Sequence, residues 1–148
     1  MGEVYTEITL KNGSDLVLVR NGHLEEKNIR SATVTALVDT GTTTIVIGEK
    51  IRKTLGLTVL QTRNVGLPGG KCINCGITEP VQIYWKDRSA IVQAMFLPNE
   101  EEILLGIIPL EEMDLIIDPL KQTLIGAHGD IIEKRLYGHI KIREKTNS

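Results

Sequence analysis

Aromatic side chains are nearly absent from this sequence. One Trp, one Phe and three Tyr serve 148 residues, so any core must be filled by aliphatic side chains. Long apolar runs are missing too, and no stretch approaches the ~18 consecutive apolar residues of a membrane-spanning helix. The first ten residues, MGEVYTEITL, lack both the basic start and the apolar stretch of a secretion signal. No membrane partner is expected. Cysteine is scarce, with two in the chain, and without an export signal a reducing cytoplasm is the expected compartment. Excess positive charge is lacking as well. The net charge is −2 and the pI about 5.9, which leaves no broad basic footprint for nucleic acid. The mildly basic last residues, with Lys134, Arg135, Lys141, Arg143 and Lys145, read as a solvated end.

What the sequence has in abundance is β-branched residues: 19 Ile, 10 Val and 14 Thr. They are stiff at χ1 and fit a pleated surface better than a helix, which predicts a mainly β protein. The length suits one domain spanning 1–148, and neither an internal repeat nor a linker divides it. Val4, Thr6, Ile8 and Leu10 alternate with polar neighbours as in a half-buried strand. Asn12-Gly13 then reads as a hairpin turn leading to a second strand at Leu16-Val17-Leu18-Val19. Asn21-Gly22 is a further turn. Ser31 to Val38 is a strand that runs straight into Asp39-Thr40-Gly41. A short helix is expected from Gly48 to Leu55, closed by Gly56, and a second from Ile107 to Met113 with Pro109 in its first turn. Between them lie a strand, a Gly-rich turn at Leu67-Pro68-Gly69-Gly70, and a returning strand to Tyr84. Lys86-Asp87-Arg88 is a turn, and the apolar run Ile91 to Leu97 reads as a strand buried on both faces. Leu115-Ile116-Ile117 and Leu124-Ile125 pair across a turn. In the tail, 127–148, the alternation of Leu136, Gly138, Ile140 and Ile142 predicts one last strand.

The chemistry concentrates in Ala36-Leu37-Val38-Asp39-Thr40-Gly41-Thr42. A carboxylate at the end of an apolar strand is costly to bury unless hydrogen bonds or a shared proton compensate it. Gly41 lets a backbone N–H approach that carboxylate with no side chain in the way. A hydroxyl between them can tie the loop down.

This segment resembles the signature of aspartic proteases, two apolar residues followed by Asp-[Thr/Ser]-Gly. Ile103-Leu104-Leu105-Gly106, the helix after it, Leu115 to Asp118 and Leu124-Ile125 look like the second half of a retropepsin subunit. The resemblance implies an all-β, closed-barrel subunit with one or two short helices and a flap hairpin at about residues 62–78. It implies an aspartic endopeptidase acting on peptide or protein substrates, with no metal or other cofactor. Asp39 is then the catalytic acid/base, and Thr40 reaches across the dimer axis. Gly41 offers its backbone, and Thr42 donates a hydroxyl that stabilises the charged carboxylate. Gly69 and Gly70 belong to a mobile lid over the substrate. Such enzymes need two carboxylates sharing one proton. No other Asp here is followed by Thr-Gly or Ser-Gly, so the second must be Asp39 of an identical chain in a homodimer. The Asp and Arg that pair at the interface of retroviral members are replaced by Thr43 and Ile107, so the dimer must be held differently, and the alternating tail is a candidate for that task. Two other readings stand beside this one: a binding or assembly module of the same fold without efficient turnover, and a zinc or redox module built on Cys72 and Cys75. The bland reading of those cysteines is two free thiols, and His23, His128 and His139 read as surface residues.

Overall fold

Half of the chain lies in strands and about a sixth in helices, as the β-branched composition requires. The computed structural model describes residues 2–137 and 140–146. Strand β1 (Tyr5–Asn12) turns Ile8 and Leu10 into the core while the residues between them face outward. It pairs antiparallel with β2 (Ser31–Val38) in one continuous register, Tyr5 opposite Leu37 and Lys11 opposite Ser31. Next come β3 (Ile45–Ile47), helix α2 (Glu49–Leu55), β4 (Val59–Gly66), β5 (Cys72–Trp85) and β6 (Arg88–Phe96). Strand β7 (Leu104–Leu105) leads into helix α3 (Ile107–Glu112), and β8 (Leu115–Asp118) pairs with β9 (Thr123–Gly126). Seven strands form one sheet in the order β1-β2-β7-β3-β6-β5-β4, and β1 pairs in addition with β5 through Thr9–Asn12 and Val81–Tyr84.

Both helices expected from the sequence are present, and Gly56 ends α2 in the left-handed conformation, φ 61°, that glycine adopts without a Cβ clash. The core is aliphatic. Ile8, Leu10, Ile45, Ile47, Leu55, Leu57, Ile83, Leu105 and Met113 are all but inaccessible, and each Leu, Ile or Met buried this way contributes about 1.5–3 kcal/mol over an exposed one. Trp85, the one Trp, joins this core and donates its indole N–H to the Thr6 hydroxyl at 2.9 Å.

Three expectations are corrected. Leu16 to Val19 is not a strand but part of helix α1 (Gly13–Arg20), so the described residues hold three α-helices rather than one or two. The reason is Asn12, which caps rather than turns. Its side-chain oxygen accepts from Asp15 N at 3.1 Å, its amide donates to the Leu55 carbonyl at 2.9 Å, and its own N–H bonds Arg30 O. Strand β6 is not buried on both faces. Arg88, Ala90 and Ala94 point in, whereas Ile91 is 63% exposed. The tail is not one strand but a hairpin of β10 (Ile131–Tyr137) and β11 (Ile140–Lys145), so its alternation belongs to two antiparallel segments. Gly138 and His139, read as part of that strand and as surface, lie outside the described residues.

Among the described residues, the buried charges are matched. Asp15, buried on α1, receives Arg30 N and Nε at 2.9 Å and Arg30 Nη2 at 2.8 Å. Arg88, buried at the start of β6, donates to the carbonyls of Met113, Asp114 and Gly129, drawing the ends of α3 and β9 together. Asp114 accepts from Glu133 N at 2.8 Å and meets His128 Nδ1 at 2.7 Å, which moors the tail hairpin to the start of β8. His128 is on the surface as expected, but it has this partner.

The hydrogen bonds from Arg30 hold the Asp15 carboxyl below its ordinary range, against the opposing effect of burial. A depressed carboxyl contributes stability that is complete above its unfolded value of about 3.9 and is lost as pH falls through its lower folded value. Asp15→Asn should therefore cost about 1–2 kcal/mol at neutral pH, the lower part of the range for charged hydrogen bonds because Arg30 is 49% exposed. Urea denaturation of both proteins from pH 7 to pH 2 checks this. The gap between them should close below pH 4, and a gap that stays constant would refute the role of the Asp15 charge.

Candidate active site

Asp39 stands one residue beyond β2, and three backbone hydrogen bonds fix that strand end. Leu37 N donates to Ile103 O at 2.8 Å, Val38 N to Val4 O at 2.8 Å, and Asp39 N to Leu105 O at 2.9 Å. Strands β2 and β7 thus run parallel, Leu37 beside Leu104 and Val38 beside Leu105, and β7 also pairs antiparallel with β3. The segment between β2 and β3 must then arch over the β7 end. Thr42 N closes the arch onto Asp39 O at 3.1 Å.

The arch rests on the start of α3. Ile107 N donates to Thr42 O at 2.8 Å and Ile108 N to Thr43 O at 2.9 Å. These N–H groups have no partner within the helix, and the loop carbonyls need donors, so each satisfies the other. Gly106 is what allows the approach. A Cβ there would collide with the carbonyl oxygens of Thr42 and Thr44. Its φ of −91° is open to any residue, so space rather than conformation demands glycine.

The carboxylate of Asp39 is partly buried and held at both oxygens. Gly41 N donates to Oδ1 at 2.9 Å, and Thr42 Oγ1 donates to Oδ2 at 2.8 Å. Two donors on one carboxylate fix its plane while one side of the loop stays open, because Thr40, Gly41 and Thr43 are exposed. Thr44 Oγ1, one position before β3, bonds Gln93 O on β6 at 2.8 Å and anchors the far side of the arch. Of the residues singled out in the sequence, Asp39, Gly41 and Thr42 come together through direct hydrogen bonds. Thr40 lies exposed on the same loop.

Three of the five remaining aspartates are engaged elsewhere in the fold. Asp15 is paired with Arg30, Asp114 with His128, and Asp118 accepts from Leu120 N and Lys121 N.

Gly69 and Gly70 lie at the tip of the β4–β5 hairpin, with φ of 89° and 83°, in a turn where Leu67 N bonds Lys71 O. Nothing approaches a Cβ built at either one, so these glycines serve the turn and not a close contact. The hairpin leaves the sheet where Gly76 and Ile77 of β5 pair with Phe96 and Met95 of β6. Strand β6 in turn lies beside β3, which carries the end of the Asp39 arch.

Cys72 and Cys75 are both free, the first exposed and the second buried. Three positions apart on a strand, they project to opposite faces of β5, so they cannot grip one ion or pair with each other within a chain. The spacing that suggests a metal site on a loop has a different meaning on a strand. No group of three or more metal-ligating side chains occurs among the described residues. No helix of the described residues is long and apolar enough to cross a membrane.

The sequence marked the Asp39 arch and, through the resemblance, the Leu104-Leu105-Gly106 segment as its companion; the structure adds the bond from Asp39 N to the Leu105 carbonyl and the close approach at Gly106. The signal for that approach was a glycine interrupting an otherwise apolar run before a helix. Compared with models of known protein families the chain matches none, and a search of curated proteins gives no match.

Gly106→Ala should overlap the Thr42 and Thr44 carbonyls and lower stability by about 1–3 kcal/mol, as overpacking does. Thermal denaturation reads the loss. The neighbouring Ile107→Val, which keeps the backbone path, should lose less. Equal melting temperatures for Gly106→Ala and wild type would show that the arch has room to spare.

Proposed function

We propose that this chain is one subunit of a homodimeric aspartic endopeptidase of the retropepsin type. The observation that carries the reading is the Asp39 carboxylate, aligned by Gly41 N–H and the Thr42 hydroxyl at the end of an apolar strand and open on one side. A carboxylate in such a place is ready to share a proton with a second one. The closed barrel of that fold is supported by β1, which pairs with β2 on one side and with β5 on the other. A flap is supported by the β4–β5 hairpin, which leaves the sheet beyond Gly76 and ends in a glycine-rich tip.

In this reading two Asp39 side chains meet across a two-fold axis, roughly 3 Å apart, and hold one proton between them because both cannot ionise at that distance. The ionised Asp39 takes a proton from a bound water as it attacks the scissile carbonyl. The protonated Asp39 donates to the developing oxyanion, and the proton then passes to the departing amine. Gly41 N–H and Thr42 Oγ1 hold each carboxylate in plane, and Thr40 is placed to reach the partner's loop. No metal or cofactor enters the scheme. Two free cysteines suit the reducing cytoplasm expected of the chain.

Asp39→Asn should abolish peptide cleavage with circular dichroism unchanged, and a statine-type inhibitor, which imitates the tetrahedral intermediate, should bind the wild type. A mixing experiment tests the shared site. Equal amounts of wild type and Asp39→Asn, allowed to exchange subunits, should retain about a quarter of the activity per total chain, because random pairing leaves one dimer in four with both carboxylates. Mass spectrometry of labelled subunits establishes the exchange. A residue of one half after proven exchange would mean that each chain works alone.

A further inference from the structure

We propose that Arg63 on the flap hairpin selects substrates with an acidic side chain, a preference that rests on the endopeptidase reading above. The hairpin is chemically unlike the rest of the molecule. From Leu57 to Thr78 the sequence contains no Asp or Glu, and its two charges are Arg63 and Lys71, in a chain whose net charge is −2.

Strand register decides which way Arg63 points. From Gln61 to Gly66 and from Cys72 to Ile77 the two strands pair without a bulge, with Arg63 opposite Cys75, Val65 opposite Ile73 and Gln61 opposite Ile77. Residues directly opposite in an antiparallel pair share a face. That face therefore carries Gln61, Arg63, Val65, Ile73, Cys75 and Ile77, of which Cys75 and Ile77 are buried, Val65 and Ile73 partly so, and Gln61 exposed at the base. The other face carries Thr62, Asn64, Cys72 and Asn74, all exposed, and at its base the buried Gly76. The hairpin thus turns a mainly apolar surface toward the body of the subunit, and Arg63 is the single charge on it.

Arg63 is also free to act. It is exposed, and among the described residues no carboxylate forms an ion pair with it, whereas Arg30, Arg52 and Arg143 each have one. A guanidinium on the cleft side of a closing flap would meet an extended peptide lying beneath. Val65 and Ile73, nearer the tip, favour apolar side chains toward the scissile bond. Arg63, nearer the base, favours a carboxylate farther out, with its planar fork suited to a bidentate grip. A two-fold dimer presents the flap twice, so acids are favoured on both sides of the cut.

The test uses peptides of one apolar core with Glu, Gln or Lys at successive outer positions, cleaved in competition by wild type, Arg63→Gln and Arg63→Glu. The best Glu peptide should exceed its Gln counterpart about two- to fivefold in kcat/KM, the upper range for an exposed ion pair. The ratio should fall toward one in Arg63→Gln, invert between Glu and Lys in Arg63→Glu, and shrink as salt is raised. A Glu-to-Lys ratio unchanged in Arg63→Glu overturns the proposal. Binding of the same fluorescein-labelled peptides to Asp39→Asn protein, read by anisotropy, separates the two readings. A charge preference in binding without any cleavage by wild type would remove the protease and keep the Arg63 subsite. Cleavage without a charge preference would keep the protease and remove the subsite. Loss of both cleavage and binding would overturn both.

Discussion

Hydrogen bonds from Ile107 N and Ile108 N to the carbonyls of Thr42 and Thr43 join the two halves of the chain beneath Asp39, and the rest of the site depends on them. A loop of exposed polar residues would ordinarily leave its carbonyls to water and drift among conformations. Here those carbonyls are the caps of α3, so the loop can move only if the helix start loses its partners. The carboxylate inherits this rigidity through two short links, the turn from Asp39 O to Thr42 N and the bond from Thr42 Oγ1 to Oδ2. Gly106 makes the contact possible by having no side chain, and β7 delivers it to the right depth by pairing with both β2 and β3.

A second principle runs through the structure: polar groups are taken into the interior only as completed sets. No buried side-chain nitrogen or oxygen among the described residues lacks a partner. Asn12 serves a strand end, a helix cap and the end of α2 at once. Asp15 answers Arg30, Arg88 answers three carbonyls, and Asp114 answers Glu133 N and His128. Each set joins segments far apart in sequence, where a lone polar group would cost about 1–3 kcal/mol. Thr43 and Ile107 take part through their backbones, Thr43 accepting from Ile108 and Ile107 donating to Thr42.

Local pattern was legible wherever one physical cause ruled. Strand β2 could be read to the residue because its alternation is set by one buried face. Helices α2 and α3 could be read because apolar spacing, a closing glycine and an early proline agree. The pattern misled where two causes compete. Asn-Gly before an apolar run serves a hairpin turn as well as a helix cap, and the choice fell to Leu55 and Arg30, which lie 43 and 18 residues away and accept from Asn12. The tail alternates equally well as one strand or as two, and local period cannot locate the reversal. Cys-x-x-Cys converges on a loop and diverges on a strand, so its meaning depended on β5.

By itself the sequence determined a β-rich chain with an aliphatic core and one Asp-Thr-Gly at the end of an apolar strand, because composition and period act over a few residues and need no distant partner. Tertiary structure alone decided that the Asp39 arch is tied to the Leu105 carbonyl and to the start of α3, that α1 is a helix, and that Arg63 shares a face with Cys75. Those facts depend on backbone groups and strand registers that meet across 30 to 70 residues of chain or across a hairpin, and side-chain identity leaves such pairings open until the fold closes them.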